Sequence, residues 1–496
     1  MTADTTRPDR RGTRPAGPPG TADAVVVGGG LAGTAAALAL ADAGVRVTLL
    51  EGRPRLGGLA FSFRRPSPAG DLTVDNGQHV HLRCCTAYQW FLDRVGGTRL
   101  APVQRALDVP VLDAGHPAGP RLSRIRRNAL PVPLHLAASL ARYRHLSPVE
   151  RAAAGRAALA LRALDPTDPA LDDVDFAGWL RRHGQSPRAI EALWDLVGVA
   201  TLNATAEHAS LGLAAMVFRT GLLTAPGAAD IGWARVPLGE LHHTLARAAL
   251  DRAGVRTELR TRAAGLTRTE GRWSVATESG PHGPGRLDAD AVVLAVPQRE
   301  AHGLLPDGAL DDPGRLLRIG TAPILNLHVV YDRKVLHRPF FTAIGSPVQW
   351  VFDRTRPSGL DRHPDGAAGQ YLAVSQSAAH DDIDRSVGEL RSRYLPELAR
   401  LLPAARDAAV RDFFVTRERT ATFAPTPGVG RLRPHAATNA PGLHLAGAWT
   451  ATGWPATMES AVRSGLTAAD GVLSGLGRRH RNPPSASGGR NAQEAV

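Results

Sequence analysis

Four residues near the N-terminus have the types and spacing to hold a doubly charged phosphate ligand. Gly28, Gly30 and Gly33 fit G-x-G-x-x-G, and Glu51 follows about twenty residues later. The first glycine permits a tight turn, the second lets a pyrophosphate approach the backbone, and the third lets a helix lie close on a sheet. The first-turn amides of Leu31 and Ala32 and the positive end of that helix favour an anion. The carboxylate of Glu51 can accept hydrogen bonds from a ribose diol. The chemistry is dinucleotide binding, and the alternative, a tight turn with no ligand, gives no reason for Glu51.

The elements that must position these residues are legible around them. Residues 24–27 are a short β-branched apolar run of the kind buried in a parallel sheet, residues 31–43 a helix, and residues 47–50 a second strand. Downstream, Gly52, Arg53 and the doublet Gly57-Gly58 precede another strand. The turn at 75–81, DNGQHVH, places Asp75, Asn76, Gly77, Gln78 and His79 at a strand end. Near the C-terminus a buried strand at 443–446 ends on Gly447, a turn follows, and Thr457 can cap a helix that begins about Met458. A second helix N-terminus aimed from a strand end suits a two-part cofactor, because it can stabilise negative charge on a reduced flavin.

At 496 residues the chain is too long for one compact core, and 43% hydrophobic content is enough for two or three. The net charge of +13 is carried almost wholly by arginine, Lys334 being the only lysine. Those arginines are spread along the chain and aromatics are 5%, which argues against a nucleic-acid binder but suits anionic lipid headgroups. Cys84 and Cys85 are adjacent, a poor disulfide, and no metal-ligand spacing is present. Residues 1–20 and 476–496 read as disordered tails. No apolar run is long enough to span a bilayer.

The expected fold is α/β: a discontinuous Rossmann-type domain from 21–97, 236–300 and 438–475, with an inserted mixed α+β substrate domain from 98–235 and 301–437. Residues 98–235 read as a helical insertion in which Ser147-Pro148 starts a helix. Plausible strands of the substrate domain lie at 349–355 and 370–379.

The run VVVGGGLAG…LLEGRPRLGG resembles the FAD-binding fingerprint shared by amine oxidases, phytoene desaturases and their relatives. DNGQHVHLRCC, ALWDLVGVATLNAT, PLGELH, QWVFDRT, RERTATFAPTPG and LAGAWTATGWPATMESAVRSG together resemble the squalene-associated FAD-dependent desaturases, the hydroxysqualene dehydroxylases of bacterial squalene and hopanoid synthesis. The resemblance implies bound FAD. It places pyrophosphate at Gly28, Gly30 and Gly33, ribose at Glu51, the phosphate and ribityl region at Arg53, Gly57 and Gly58, and adenine against backbone near Ala263. Gly447 would lie beside the ribityl chain and Thr457 and Met458 at the flavin pyrimidine. Two positions depart from the superfamily pattern: Ala448 stands where an acidic residue is usual, and Leu59 where a basic one is.

The implied reaction is reductive dehydroxylation of hydroxysqualene to squalene. A carotenoid or phytoene-type desaturase is the alternative, a flavin amine oxidase a more distant one, and a flavoprotein carrier without turnover the rival from another class. Hydroxide leaves poorly, so a proton donor or hydrogen bonds to the departing oxygen are needed. His79 is the first candidate, with Asp75, Gln78 and Asn203 behind it. Trp350 or Trp454 could face an allylic cation. A lipid substrate and the absence of a spanning segment together imply a cytoplasmic protein peripheral on the inner face of the cell membrane, supplied by the membrane or by upstream squalene-pathway enzymes. Residues 121–162, with Arg124, Arg126, Arg127, Arg142, Arg144 and Arg151 among Leu, Ala and Pro, are the expected docking face.

Overall fold

Five short strands, far apart in the chain, form one parallel sheet in the order Leu443–Leu445, Ala291–Leu294, Asp23–Val27, Arg46–Glu51 and the polar edge strand Arg256–Leu259. The structure, a computed structural model, describes residues 22–116, 119–278, 283–363 and 368–478. The expected tails therefore lie outside the described residues, save 476–478. Val26, Leu49, Val292 and Val293 are fully buried, as strands covered on both faces require.

The glycine helix, Leu31–Asp42, is buried continuously from Leu31 to Leu40. It is apolar around its whole circumference because the sheet covers one side and the C-terminal helix, Met458–Gly475, covers the other. Two glycines set these distances. A Cβ at Gly33 would sit 1.8 Å from the Gly28 carbonyl oxygen, and one at Gly465 would sit 2.0 Å from that of Ala32. Only hydrogen at these positions lets the layers meet. Full burial of Leu38 and Leu40 contributes roughly 1.5–3 kcal/mol each.

The second sheet has seven strands: Val410–Phe423, Thr321–Tyr331, Gln370–Ser377, Trp350–Asp353, Phe340–Ile344, Asp108–Asp113 and Arg121–Arg126. All neighbours are antiparallel except Phe340–Ile344 with Asp108–Asp113. Helix Val387–Leu401, opened by a Ser386/Glu389 capping box, buries Leu390, Tyr394, Leu398 and Leu401 on the apolar cluster of this sheet. The sheet corrects one expectation: residues 98–235 are not wholly helical, since 108–113 and 121–126 supply its edge. The sequence signal is weak there because DVPVLD carries a proline and an acid at each end and the edge strand RLSRIR is half arginine. The helix expected after Ser147 does form, Pro148–Ala163, with a complete Ser147/Glu150 capping box.

Candidate flavin site and its seam with the second sheet

Because the first sheet is parallel, Gly28, Ala295 and Gly447 all leave it at the same, carboxyl edge, where α/β sheets bind ligands. Both long helices start there. Gly28 has φ +109° and a Cβ on it would meet the Ala295 carbonyl oxygen at 2.3 Å, so no other residue fits the turn. Gly30 is the helix N-cap in ordinary extended geometry, and a Cβ there would meet nothing closer than the Gly58 Cα at 3.7 Å. Its side faces open space.

Glu51 is aimed by backbone: Oε2 accepts from the Gly29 amide and Oε1 from the Arg53 amide, each at 2.8 Å. A carboxylate has about four acceptor sites, so capacity for a diol remains. The Thr261 amide donates to the Glu51 carbonyl at 2.9 Å, which brings the chain leading into Ala263 alongside Glu51 and Gly52. The Gly57 amide donates to the Gly29 carbonyl at 2.9 Å, and a Cβ on Gly58 would lie 3.0 Å from Gly30 Cα. Two nearly bare backbones thus meet beside the start of the glycine helix.

Side chains that the sequence did not single out hold this loop. His242 Nδ1 bonds the Ala60 carbonyl at 2.9 Å and Nε2 bonds the Tyr88 hydroxyl at 2.8 Å; burial lowers its pKa to about 4, so the ring is neutral. His243 Nδ1 accepts from the Leu56 amide at 3.2 Å. Arg55 donates to the Gly58 carbonyl at 3.0 Å and stacks over Phe61 at 3.4 Å, which puts a guanidinium where Leu59 supplies none. Desolvation lowers the Arg55 pKa to about 10 and leaves it a cation.

At the other helix start, Thr457 accepts from the Ser460 amide at 3.1 Å and caps Met458–Gly475. Gly447, φ +145°, donates its amide to Ser464 Oγ at 2.8 Å. The loop between them is gathered by buried Arg433, which donates to the Trp454 carbonyl at 2.9 Å and Thr452 Oγ1 at 3.1 Å, besides the Thr450 carbonyl. Glu459 accepts from the Tyr88 amide at 2.8 Å and from Arg463 at 2.6 Å, tying this helix to helix Thr86–Val95.

The turn at 75–79 lies on the seam between the two sheets. Asp75 is buried; Oδ1 accepts from Ser62 at 2.6 Å and the Leu238 amide at 2.9 Å, and Oδ2 from Arg354 at 2.7 Å. Arg354 also donates to the Ala234 carbonyl at 2.6 Å. Asp75 is therefore a clamp, with both carboxylate oxygens bonded inside the protein. Asn76 donates to the Leu59 carbonyl at 2.8 Å and Glu418 at 3.1 Å, while its carbonyl accepts from Asn326 and from Thr416 at 3.1 and 2.8 Å.

Asn203 lies elsewhere, at the left-handed end of helix Leu196–Leu202. Its amide donates to Ala322 O and Thr422 Oγ1 at 3.1 and 2.8 Å, and its oxygen accepts from the Ala378 amide at 2.6 Å, a fully occupied set. His79 Nδ1 bonds the Gly77 carbonyl at 3.1 Å, and desolvation lowers its pKa despite that bond and Asp75. A neutral ring donating through Nδ1 offers Nε2 only as an acceptor. Gln78 Nε2 and Asn326 Oδ1 are buried with no partner in the protein, one donor and one acceptor left over at the seam. Trp454 has the Arg463 guanidinium over its ring at 4.9 Å, whereas Trp350 stacks on Phe352 and meets Phe340 at a tilt in the second sheet.

A parallel sheet with a glycine cradle, an aimed carboxylate and a second helix start defines a nucleotide-cofactor oxidoreductase with a separate substrate sheet. The chain belongs to the flavin containing amine oxidoreductase family, which it matches over residues 31–473. It is 30% identical over 458 residues to hydroxysqualene dehydroxylase of Rhodopseudomonas palustris, covering 90% of this chain and 97% of that one. It is 30% identical to the carotenoid phi-ring synthase of Streptomyces griseus, over 93% of this chain and 89% of that one. Its fold is similar to that of cyclohexylamine oxidase from Brevibacterium oxydans IH-35A, with TM-score 0.64, 19% identity and coverage of 92% and 100%.

The family implies FAD, and the cradle suits it: Gly30 and Gly58 leave backbone bare where a pyrophosphate must approach, and Glu51 retains acceptor capacity. Among the described residues, no group of three His, Cys, Asp or Glu is placed to hold a metal.

Proposed function

We propose that this flavin-dependent oxidoreductase removes an allylic hydroxyl reductively from a triterpenoid alcohol of the hydroxysqualene class, giving squalene. The observation that carries the reading is the likeness to hydroxysqualene dehydroxylase across 97% of that relative. Bound FAD would supply the hydride and its electron pair. Gly28, Gly30, Gly33, Gly57 and Gly58 would admit the phosphates, Glu51 the ribose, and the capped start at Thr457 and Met458 the flavin ring. Reaction breaks the C–O bond, forms a C–H bond and needs one proton for the oxygen that leaves as water.

Of the residues at the seam, Gln78 has a spare N–H to hydrogen-bond the departing oxygen, because its Nε2 has no protein partner; an amide does not release that proton, so the proton that completes water comes from solvent. His79, neutral and donating through Nδ1, orders the turn and offers the oxygen no proton. Asp75, bonded through both oxygens and paired with Arg354, and Asn203, with both N–H donors taken, act structurally. Trp350 suits positive charge on an allylic carbon better than Trp454, whose ring face already carries the Arg463 guanidinium.

The test is purified holoenzyme with reductant and hydroxysqualene, followed by extraction and identification of the hydrocarbon. Squalene supports the reading. Gln78→Leu should lower turnover about 10²-fold with flavin content unchanged. A second reading, oxidative or rearranging chemistry on a carotenoid, is favoured by the likeness to the phi-ring synthase. A modified carotenoid product together with inert hydroxysqualene would select it.

A further inference from the structure

The short helix Leu134–Ala141, LHLAASLA, carries no charge and lies on the surface. Leu134, Ala137, Ala138 and Ala141 are exposed, at the i, i+3, i+4, i+7 spacing of a single helical face. In a water-facing helix that stripe is ordinarily polar. Leu130 before the helix and Leu122 on the adjoining strand extend the patch; the three leucines are 50%, 46% and, for Leu134, 52% exposed. Such clustering of bare leucines marks an interaction surface rather than scattered exposure. The inner side of the helix is buried, with Leu136 packed on the apolar cluster that contains Trp233, Phe340 and Phe352.

The surroundings of the patch select its occupant. Residues 121–162 hold nine arginines and one acid, Glu150. Two of those arginines are committed to the protein, Arg124 to Asp108 and Arg127 to buried Asp230 at 2.6 Å, which removes them from the expected docking set, whereas Arg126 reaches Asp108 only at 3.7 Å and its side chain stays 63% exposed. Arg126, Arg142 and Arg144 are exposed around the leucines. Arg126 also lines a cavity of about 400 Å³ whose wall includes Arg105, Arg127 and Arg235 beside Trp233; the one carboxylate in that wall, Asp108, is paired with Arg124, so guanidinium charge is in excess. Bare leucines ringed by arginines, next to a guanidinium-lined hollow, match acyl chains beneath phosphate headgroups.

We infer that the helix Leu134–Ala141 and its flanking arginines are a monotopic docking face for an anionic lipid bilayer, with the Arg105/Arg126/Arg235 cavity receiving a headgroup phosphate. The inference deepens the proposed function by giving a water-insoluble substrate an entrance. Its test reads vesicle binding and no turnover, so either can fail without the other.

Holoenzyme should co-sediment with phosphatidylcholine vesicles containing phosphatidylglycerol, and far less with phosphatidylcholine alone or at high salt. Arg126→Gln and Arg142→Gln should each weaken that binding about five-fold. Leu134→Asp should abolish it, with FAD per chain and the circular dichroism spectrum unchanged, which separates lost docking from lost folding. Equal binding to both vesicle types, or wild-type binding by Leu134→Asp, would overturn the inference. So would a dimer in size-exclusion chromatography that Leu134→Asp dissolves while vesicles capture neither form, because the patch would then cover a second copy of this chain.

Discussion

The cradle at the edge of the parallel sheet and the seam at 75–79 sit close in the fold but are built from different material. Backbone makes the cradle: bare glycines, helix starts and one carboxylate held by two amides. Side chains make the seam: a buried ion pair and a web of amide, hydroxyl and carboxylate contacts. A backbone site tolerates exchange of the side chains around it, which is why Ala448 and Leu59 can depart from the superfamily pattern while the glycine geometry stays complete. A side-chain seam has no such reserve, since each buried partner leaves another unpaired when it goes.

The largest expected effect separates two glycines of one motif. Gly33→Val should prevent folding, because its Cβ would fall 1.8 Å from a backbone oxygen. Gly30→Val should fold, because its Cβ has only an ordinary contact and its φ of −73° suits any residue, yet it should lose FAD altogether. Absorbance and released flavin measure this. Stoichiometric flavin in a folded Gly30→Val protein would break the claim that bare backbone is the binding surface.

At the seam, Arg354→Met should destabilise by about 3–5 kcal/mol, because it strands a buried Asp75 carboxylate. Urea unfolding measures it, and adding Asp75→Asn should restore much of the loss. If the single variant unfolds like wild type, the seam is not held by this pair.

Acid should strain both regions. Burial lowers the pKa of His81 and His242 to about 4 and that of His328 to about 3. The unfolded chain therefore binds more protons than the folded one below about pH 6.5, and stability rises with pH across that window. The contribution is full above about 6.5 and is lost as pH falls through 4, or through 3 for His328, by at most about 3 kcal/mol for His81 and His242 and about 5 kcal/mol for His328. Asp195, raised to about 6 by burial, opposes the trend between about 4 and 6. A midpoint of thermal unfolding that falls steadily below pH 6.5, and less steeply in His242→Gln, is the expected record. A flat profile would place these rings in contact with water.

The smallest effect is expected at Leu59, which is 42% exposed. Leu59→Arg restores the usual basic residue at a wet position beside Arg55, and should tighten FAD by less than about tenfold, within the range of an exposed charge contact. A larger gain in a flavin titration would mean that side chains matter in the cradle as much as at the seam.

The contrast also explains what could be read early. The strand, turn and helix around Gly28, Gly30 and Gly33 were legible because φ sign and close approach are local demands that only glycine meets at fixed spacing. Glu51 and the Thr457 cap were legible because the end of the next strand and a helix N-cap are also set by neighbouring residues. The two longest strands of the second sheet, Thr321–Tyr331 and Val410–Phe423, were not, since their partners lie far along the chain and HVVY or RERT alone specifies no pairing.

The sequence by itself determined the cofactor half of this protein, because a phosphate-binding turn is written in neighbouring residues. Tertiary structure decided the rest. It brought Arg354 to Asp75 across 279 positions, and it chose that pair from a chain whose many arginines look alike in sequence. It tied Asp75 and Asn203 into internal hydrogen bonds, left Gln78 a spare donor, and turned the apolar stripe of Leu134–Ala141 outward. Burial and hydrogen-bond satisfaction are properties of contacts between distant segments, and they exist only once the two sheets have met.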